Sequence, residues 1–294
     1  MQTIPRRLTI EDYDEVKSLS KTIWEGNDYV PESFPKWVND PKATTLGIFD
    51  GNELVALLNL ERIENTSIAW VQGLRVKDGH RDKGYATQLT KAIVEIAKEK
   101  GVRTLWYATS SRNQASQHVA ENSGFSLIES NGYFRLYHPY PDHPKPSPSI
   151  IPLQINANRL HEILIENPDL VNSTVFPLAW EYDFKTLEGL RRLTKDALIK
   201  VIIDEAGYVV GVYCMTTRKR NDELTVSYTV FTTDRSIFID IISRTIDEAA
   251  TLKADRAVYF LGPRASEWAF SLGFIDEEFR DRKFLLYELN PVVD

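Results

Sequence analysis

The sequence predicts an α/β protein of two domains, and three observations carry the prediction. Strand-like and helix-like runs alternate over residues 7–137, and a second series of the same kind runs over residues 198–289. Between them proline is concentrated: of the chain's 14 prolines, Pro139, Pro141, Pro144, Pro146, Pro148 and Pro152 fall in one short stretch. Proline at that density builds neither a helix nor a central strand, so the stretch reads as an extended connector rather than as a ligand for another domain. With 294 residues, 43% of them hydrophobic, the chain is long enough for two ordinary cores. The expected boundaries are residues 1–138, a linker over 139–152, and residues 153–294.

Each element follows from a local pattern. Residues 7–10 start a strand, residues 12–24 form a helix, and residues 31–40 form a second, proline-punctuated helix. Residues 44–49 and 53–63 read as a hairpin around Asp50-Gly51-Asn52, whose Asp-Gly pair signals a tight turn. Residues 67–76 read as a strand. Ala86, Leu89, Ile93, Ile96 and Ala97 then recur at helical spacing and mark a buried stripe. A strand over 104–109, a helix over 113–122 ending in Gly124-Phe125, and a closing strand over 132–137 complete the first series. In the second, residues 198–204 and 209–216 form a hairpin, 224–231 a strand, 237–252 an amphipathic helix and 257–261 a strand. A helix over 266–273 runs into a second Gly-Phe, and residues 282–289 are expected as the last strand of the second sheet.

Charge and composition exclude several functions. A net charge of −7 argues against a duplex nucleic-acid binder, which needs a broad basic face. The one cysteine, Cys214, rules out an intrachain disulfide and a cysteine-rich zinc site; lying in an apolar run, it reads as a buried thiol rather than a nucleophile. The five histidines are scattered without metal-ligand spacing, so no metal is expected. No apolar run reaches the ~18 residues of a membrane span, and residues 1–20 lack a signal-peptide core. The expectation is a soluble cytoplasmic protein, monomeric or homodimeric, with no nucleic-acid or membrane partner.

Residues 72–86 are the most informative stretch. Between Arg75 and Lys83 four Lys/Arg stand against two Asp, a basic turn inside an acidic chain. A strand running through such a turn into a helix is a ready anion cradle, because the first-turn N–H groups lack intrahelical partners and the helix dipole favours negative charge there. Gly84 removes the Cβ that would hold a phosphate away from the backbone. The counterpart stretch in the second half, Thr232-Thr233-Asp234-Arg235-Ser236, has neither a glycine nor a basic cluster.

Arg81-x-x-Gly84-x-Ala86 resembles the Q/R-x-x-G-x-G/A signature of the GNAT superfamily of N-acetyltransferases, and the elements around it follow that superfamily's order. The resemblance implies a mixed central sheet flanked by helices, with acetyl-CoA as cosubstrate. Its pyrophosphate would lie on Arg81, Asp82, Lys83, Gly84, Tyr85 and Ala86. Its pantetheine arm would lie along the strand containing Leu74, Arg75 and Val76, with a backbone N–H of Leu74 or its neighbours meeting the thioester carbonyl. Asn113 matches an asparagine that commonly touches the cofactor. The second half is expected as a degenerate domain of the same fold that has lost acetyl-CoA binding.

A narrower resemblance covers residues of roughly 20 to 95. Gly26-x-Asp28-Tyr29-x-Pro31, Trp37-x-x-Asp40-Pro41 and Gly73-Leu74-Arg75-Val76 are similar to motifs of the vertebrate histidine N-acetyltransferases. That similarity implies a small amine or amino acid acceptor, with Glu25 and Asp28 as candidates for its ammonium and Tyr29 lining the pocket; Asp28 as a loop cap is the alternative. Arg75 is open between a substrate carboxylate and a neighbouring acid. Gln72 stands where the group carries an acid and, as an amide, is no general base, although a base can act through water. Ala120 stands where the superfamily often has a tyrosine donor. The catalytic candidates are therefore Gln72 by position, with Tyr107 and His118 nearby; a core role for Tyr107 and a solvent-facing one for His118 are the alternatives. The expected activity is acetyl-CoA-dependent N-acetylation of a small amine, histidine being one candidate. A protein or peptide N-terminal acetyltransferase and a non-catalytic acetyl-CoA sensor are the other readings.

Overall fold

The computed structural model describes residues 4–23 and 28–291. In chain order the elements are β1 (Arg6–Arg7), α1 (Tyr13–Ser20), α2 (Val30–Asn39), β2 (Ala43–Asp50), β3 (Glu53–Arg62), β4 (Ile68–Val76), α3 (Tyr85–Glu99), β5 (Thr104–Ser110), α4 (Gln114–Asn122) and β6 (Ser126–Tyr137). There follow β7 (Ile151–Ile155), α5 (Ala157–Glu166), β8 (Val175–Leu178), β9 (Glu181–Phe184), α6 (Leu187–Leu193), β10 (Leu198–Ile203), β11 (Val209–Arg220), β12 (Glu223–Thr232), α7 (Arg235–Thr251), β13 (Arg256–Leu261), α8 (Pro263–Ser271) and β14 (Lys283–Leu289). They divide into two compact units: residues 1–109, 113–128 and 285–294, and residues 110–112 and 129–284.

In the first unit the strand order is β1-β2-β3-β4-β5-β14. β1 to β4 pair antiparallel and β4 pairs β5 in parallel. The apolar stripe of α3 supplies Leu89, Ile93 and Ala97, which are buried against Leu58, Leu60, Ala69 and Val71 from one face of the sheet. The other face, with Leu54 and Leu57, is covered by Val16 and Leu19 of α1 and Phe34 and Trp37 of α2. Alternation along β3 thus feeds two cores, as expected of a sheet sandwiched between helix layers.

The second unit repeats the plan with strand order β6-β13-β12-β11-β10-β7. β12 and β13 are its parallel pair and β10, β11 and β12 its antiparallel meander. α7 and α8 pack on one face through Phe238, Ile242, Ala265 and Ala269. α5 and α6 cover the other through Leu160, Ile163 and Leu190, with Cys214 buried beneath them. Burial pushes the Cys214 thiol up to about 12, the state of an inert core sulfur.

The terminal strands correct the sequence reading. Residues 132–137 were expected to close the first sheet, yet they pair antiparallel with β13 of the second unit, Gly132 opposite Leu261 and Tyr137 opposite Arg256. Residues 285–289, expected in the second sheet, belong to the first unit. Alternation tells a strand which face is buried but not which neighbour it takes. Here the buried indole N–H of Trp106 donates to Glu288 (3.0 Å) and the Tyr287 hydroxyl donates to Glu121 (3.2 Å), partners specific to β14. The proline-rich stretch is also more than a spacer. The Arg244 guanidinium of α7 donates to the carbonyls of Ser147 and Ile150, and Tyr140 donates to the Ala254 carbonyl (2.8 Å). Pro152 falls in β7, an edge strand, where a missing N–H is tolerated.

Candidate active site

In the first unit the turn after β4 leaves a helix N-terminus unfilled. Gly84, at φ +80°, is the N-cap of α3; no side chain caps it, and the first turn carries no acid. Gln88 is the first amide to find an intrahelical acceptor, the Gly84 carbonyl at 3.0 Å, so the amides of Tyr85, Ala86 and Thr87 precede the ladder. A Cβ built on Gly84 would meet nothing within 4 Å, so the space above the helix end is open. Arg81, Asp82 and Lys83 form the exposed rim, Arg81 pairing with Asp78 at 2.9 Å. Tyr85 is half-buried and stacks at 6.5 Å on His80, whose Nε2 lies 3.4 Å from Asp50.

The sheet opens just before this turn. β4 and β5 pair from Ile68 opposite Thr104 to Val71 opposite Tyr107 and no further, although β4 runs on to Val76 and β5 to Ser110. The bend starts at Gly73, where the β3–β4 register shifts by a bulge. Gly73 sits at φ +71°, and a Cβ there would lie 2.7 Å from the Trp37 ring, so both backbone and packing demand glycine. Leu74, Arg75 and Val76 consequently present to the β5 side an edge that no strand occupies.

The side chains around this opening fall into three groups. Asp28, buried on the loop before α2, accepts Arg75 Nη2 at 2.6 Å and Arg75 Nε at 3.0 Å, and its Oδ1 also accepts the Val30 N–H at 3.2 Å. Of the two partners the sequence left open for Arg75, a neighbouring acid is the one it holds, and Asp28 caps its loop as well. Tyr29 packs edge-on to Trp37 at 6.2 Å with the Arg75 guanidinium 5.1 Å above its ring. Burial raises the Tyr29 hydroxyl above its ordinary value, against the lowering pull of Arg75. Glu25 lies outside the described residues.

The second group centres on Gln72, whose partner Glu61 was missed by sequence reasoning. Gln72 Nε2 donates to Glu61 Oε2 at 2.6 Å, and Glu61 also faces Lys36 at 3.4 Å. The strand register places Glu61 opposite Trp70 and Asn59 opposite Gln72, so all four share one face. A carboxylate therefore stands one side chain away from the position where the sequence lacks one. Asn59 is fully buried; its carbonyl accepts from Thr45 at 2.9 Å while its Nδ2 has no acceptor. The hairpin alternation was the only signal that could have paired residues 61 and 72.

The third group lies on β5 and α4. The Tyr107 hydroxyl is 2.6 Å from Ser116 Oγ, and burial pushes it up to about 12, so it stays a proton donor at any physiological pH. Asn113 is the N-cap of α4, its side chain accepting the Ser116 N–H at 3.1 Å. His118 is exposed and hydrogen-bonded to Asn122 at 2.8 Å, one turn along the outer face of α4. Tyr107 and Asn113 thus meet through Ser116, and His118 does not join them. Among the described residues no group of His, Cys, Asp or Glu is placed to hold a metal.

Comparison with known proteins bears on these features together. Residues 10–125, which contain the β4 bulge and the Gly84 turn, match the acetyltransferase (GNAT) family. Two solved structures, a tandem GNAT protein from the clavulanic acid biosynthesis pathway and a GNAT enzyme from Sphaerobacter thermophilus, follow the chain from end to end. The first covers 100% of both chains at TM-score 0.63 and 11% identity. The second covers 99% of this chain and 96% of that one at TM-score 0.63 and 12% identity. Within this chain, residues 10–125 form a GNAT-family domain, and the remainder shares the fold of the tandem GNAT structures. Its tandem fold extends over both units, since the structural likeness runs over the whole length. In sequence it is similar to the histidine N-acetyltransferase of Scomber australasicus, 33% identical over 92 residues, which are 31% of this chain and 27% of that protein. The match therefore spans about a quarter of the relative's length.

The second unit closes both openings. β12 and β13 pair without interruption from Thr225 opposite Arg256 to Val230 opposite Leu261. At the head of α7, the Asp234 carboxylate accepts the amides of Ser236 (2.7 Å) and Ile237 (3.1 Å). Its hydrogen bonds, Ser236 foremost, hold Asp234 below the usual carboxylate range. No helix among the described residues is long and apolar enough to cross a membrane.

Proposed function

We propose that this GNAT protein is an acetyl-CoA-dependent N-acetyltransferase acting on a small amine, with a free amino acid such as histidine among its acceptors, and that only the first unit takes the cofactor. The observation that carries this reading is the parting of β4 from β5 beyond Val71 and Tyr107, leading into the uncapped, Cβ-free end of α3. The open space at Gly84 and the unpaired edge of β4 fit a pyrophosphate followed by an extended, amide-bearing arm. The residues that would hold it are Arg81, Lys83 and the backbone of Gly84, Tyr85 and Ala86, with Leu74, Arg75 and Val76 along the arm and Asn113 beyond. Bound there, acetyl-CoA supplies an acyl group already activated as a thioester.

The chain's own residues then have modest work. A backbone N–H at Leu74 stabilises negative charge developing on a carbonyl oxygen at the β4 edge in this reading. Glu61 accepts a proton from the acceptor ammonium, directly or through water held by Gln72, so that a neutral amine is presented. Tyr107, protonated throughout, donates to the leaving sulfur. The Asp28–Arg75 pair fixes the loop before α2 against β4 and shapes the acceptor pocket through Tyr29.

The test is to incubate the purified chain with acetyl-CoA and a panel of free amino acids, histidine included, and to follow CoA release with a thiol reagent. Turnover concentrated on one amino acid is the expected result. Turnover on peptide N-termini alone would move the reading to a protein acetyltransferase. Acetyl-CoA binding without turnover on either class would make the unit a sensor.

A further inference from the structure

Three arginines of the second unit come together with no carboxylate paired to them among the described residues. Arg282, at the turn into β14, stacks its guanidinium 3.9 Å from the Phe279 ring and 5.5 Å from the Tyr133 ring. Arg112 lies 4.6 Å over the same Phe279, and Arg135 of β6 lies 5.8 Å from Tyr133 and 5.9 Å from Trp180. The Nε atoms of Arg135 and Arg282 are buried with no acceptor among the described residues. Among the described residues the Arg112 guanidinium donates to the Glu278 carbonyl, and the neighbouring Glu277 is taken by Arg280 at 3.8 Å. Burial, with Arg135 and Arg112 adding repulsion, holds Arg282 below the ordinary guanidinium value.

The backbone that carries them is knitted together. Ser111 N–H donates to the Lys283 carbonyl (2.8 Å), Lys283 N–H to Ser111 Oγ (2.9 Å), and Ser111 Oγ to the Asp281 carbonyl (2.9 Å). Ser110 Oγ sits 3.2 Å from the Tyr133 hydroxyl. Guanidinium groups are seldom withdrawn from water unless paired, because desolvating a charge without a counter-charge is costly. Here Arg135 and Arg282 are partly buried and Arg112 is exposed; aromatic rings orient all three planes, and the Nε donors of Arg135 and Arg282 have no acceptor among the described residues. Such an array suits an oxyanion of more than one negative charge, which can take bidentate hydrogen bonds from several forks at once.

We propose that Arg112, Arg135 and Arg282 form an anion site of the second unit for the phosphate monoester group of a small molecule. A phosphate monoester carries about −1.5 to −2 charges at neutral pH and three strong acceptor oxygens, matching three forks. None of the three arginines is assigned to the cofactor, so the proposal does not rest on the acetyl-CoA reading.

The experiment is calorimetric titration of the full chain with inorganic phosphate, with a phosphorylated sugar and with succinate, each at constant ionic strength. Saturable binding of phosphate and of the phosphorylated sugar is expected, the ester being the tighter if the site takes a phosphorylated metabolite. Arg135→Gln and Arg282→Gln are each expected to weaken it about 10-fold, the loss of one charge-assisted hydrogen bond. The pair Arg135→Lys and Arg282→Lys, which keeps charge but not the fork, should recover only part. Without phosphate, Arg282→Gln should be no less stable than the parent, because a repelled cation has been removed; a purely structural arginine would show the opposite. No saturable phosphate binding to the parent chain overturns the proposal whether or not the variants fold. So does affinity unchanged in both glutamine variants, which would place the phosphate at the α3 N-terminus, and so does succinate binding where phosphate does not.

Discussion

The two units run the same path, strand to turn to helix to parallel strand, and differ in what that path leaves unused. In the first, β4 and β5 share four register pairs before parting, and α3 begins at an uncapped left-handed glycine. In the second, β12 and β13 share six pairs, and α7 begins under its own Asp234 carboxylate. The helix ends are chemically equivalent: each offers amides without intrahelical acceptors. One unit satisfies them with a side chain, and in the other no side chain caps them. Under the proposed function, ligand capacity follows whether the hydrogen-bonding groups at the strand parting and the helix end are consumed internally, because the two units share one topology.

The largest expected effect on ligand binding comes from filling the open end. Gly84→Val places a β-branched residue at φ +80° and a Cβ in the cradle, and acetyl-CoA affinity is expected to fall more than about 100-fold, roughly 2.7 kcal/mol, by calorimetry. Retained binding would show that the α3 end is not the anion cradle. Next is the tie that fixes β4 after it leaves β5. Arg75→Ala strands the buried Asp28 carboxylate and should cost about 3–5 kcal/mol in urea unfolding. A loss under 1 kcal/mol would mean that the pair is dispensable to the parted strand.

Glu61→Gln should lower kcat about 100-fold, the range of a lost general base, while acetyl-CoA binding stays unchanged. Restoring a carboxylate by Gln72→Glu in that background should recover part of the rate; equal rates in all three proteins would remove Glu61 from the chemistry.

The smallest effect belongs to the closed unit. Asp234→Ala removes an N-cap and should cost about 1 kcal/mol without creating a second cofactor site, because β12 and β13 remain zipped. Because Asp234 is held below its unfolded value, its contribution is complete above about pH 4 and is lost as pH falls through the folded value. The stability gap between parent and Asp234→Ala should therefore narrow on acidification, which thermal melts from pH 7 to pH 3 can follow.

Much of this contrast was legible in sequence. The glycines were readable because a positive φ or a close backbone approach has few other solutions, and the absence of any glycine around Asp234 was equally plain. The stripe from Ala86 to Ala97 placed α3 because helical periodicity is local. The exchange of β6 and β14 was not readable: Tyr133 and Tyr287 sit in similar alternating strands, and only the long-range partners Trp106 and Glu121 separate them. Glu61 escaped for a related reason. Its meeting with Gln72 depends on the register of β3 against β4, with Glu61 opposite Trp70 and Asn59 opposite Gln72, which neither strand encodes alone. Asp28 and Arg75 were each singled out, but that they were each other's partner lay in the tertiary fold.

The most direct measurement is the stoichiometry of acetyl-CoA binding by calorimetry on the intact chain. The contrast between the two units predicts one molecule per chain, abolished by Gly84→Val and untouched by Asp234→Ala. Two molecules per chain, or one that survives Gly84→Val, would contradict it.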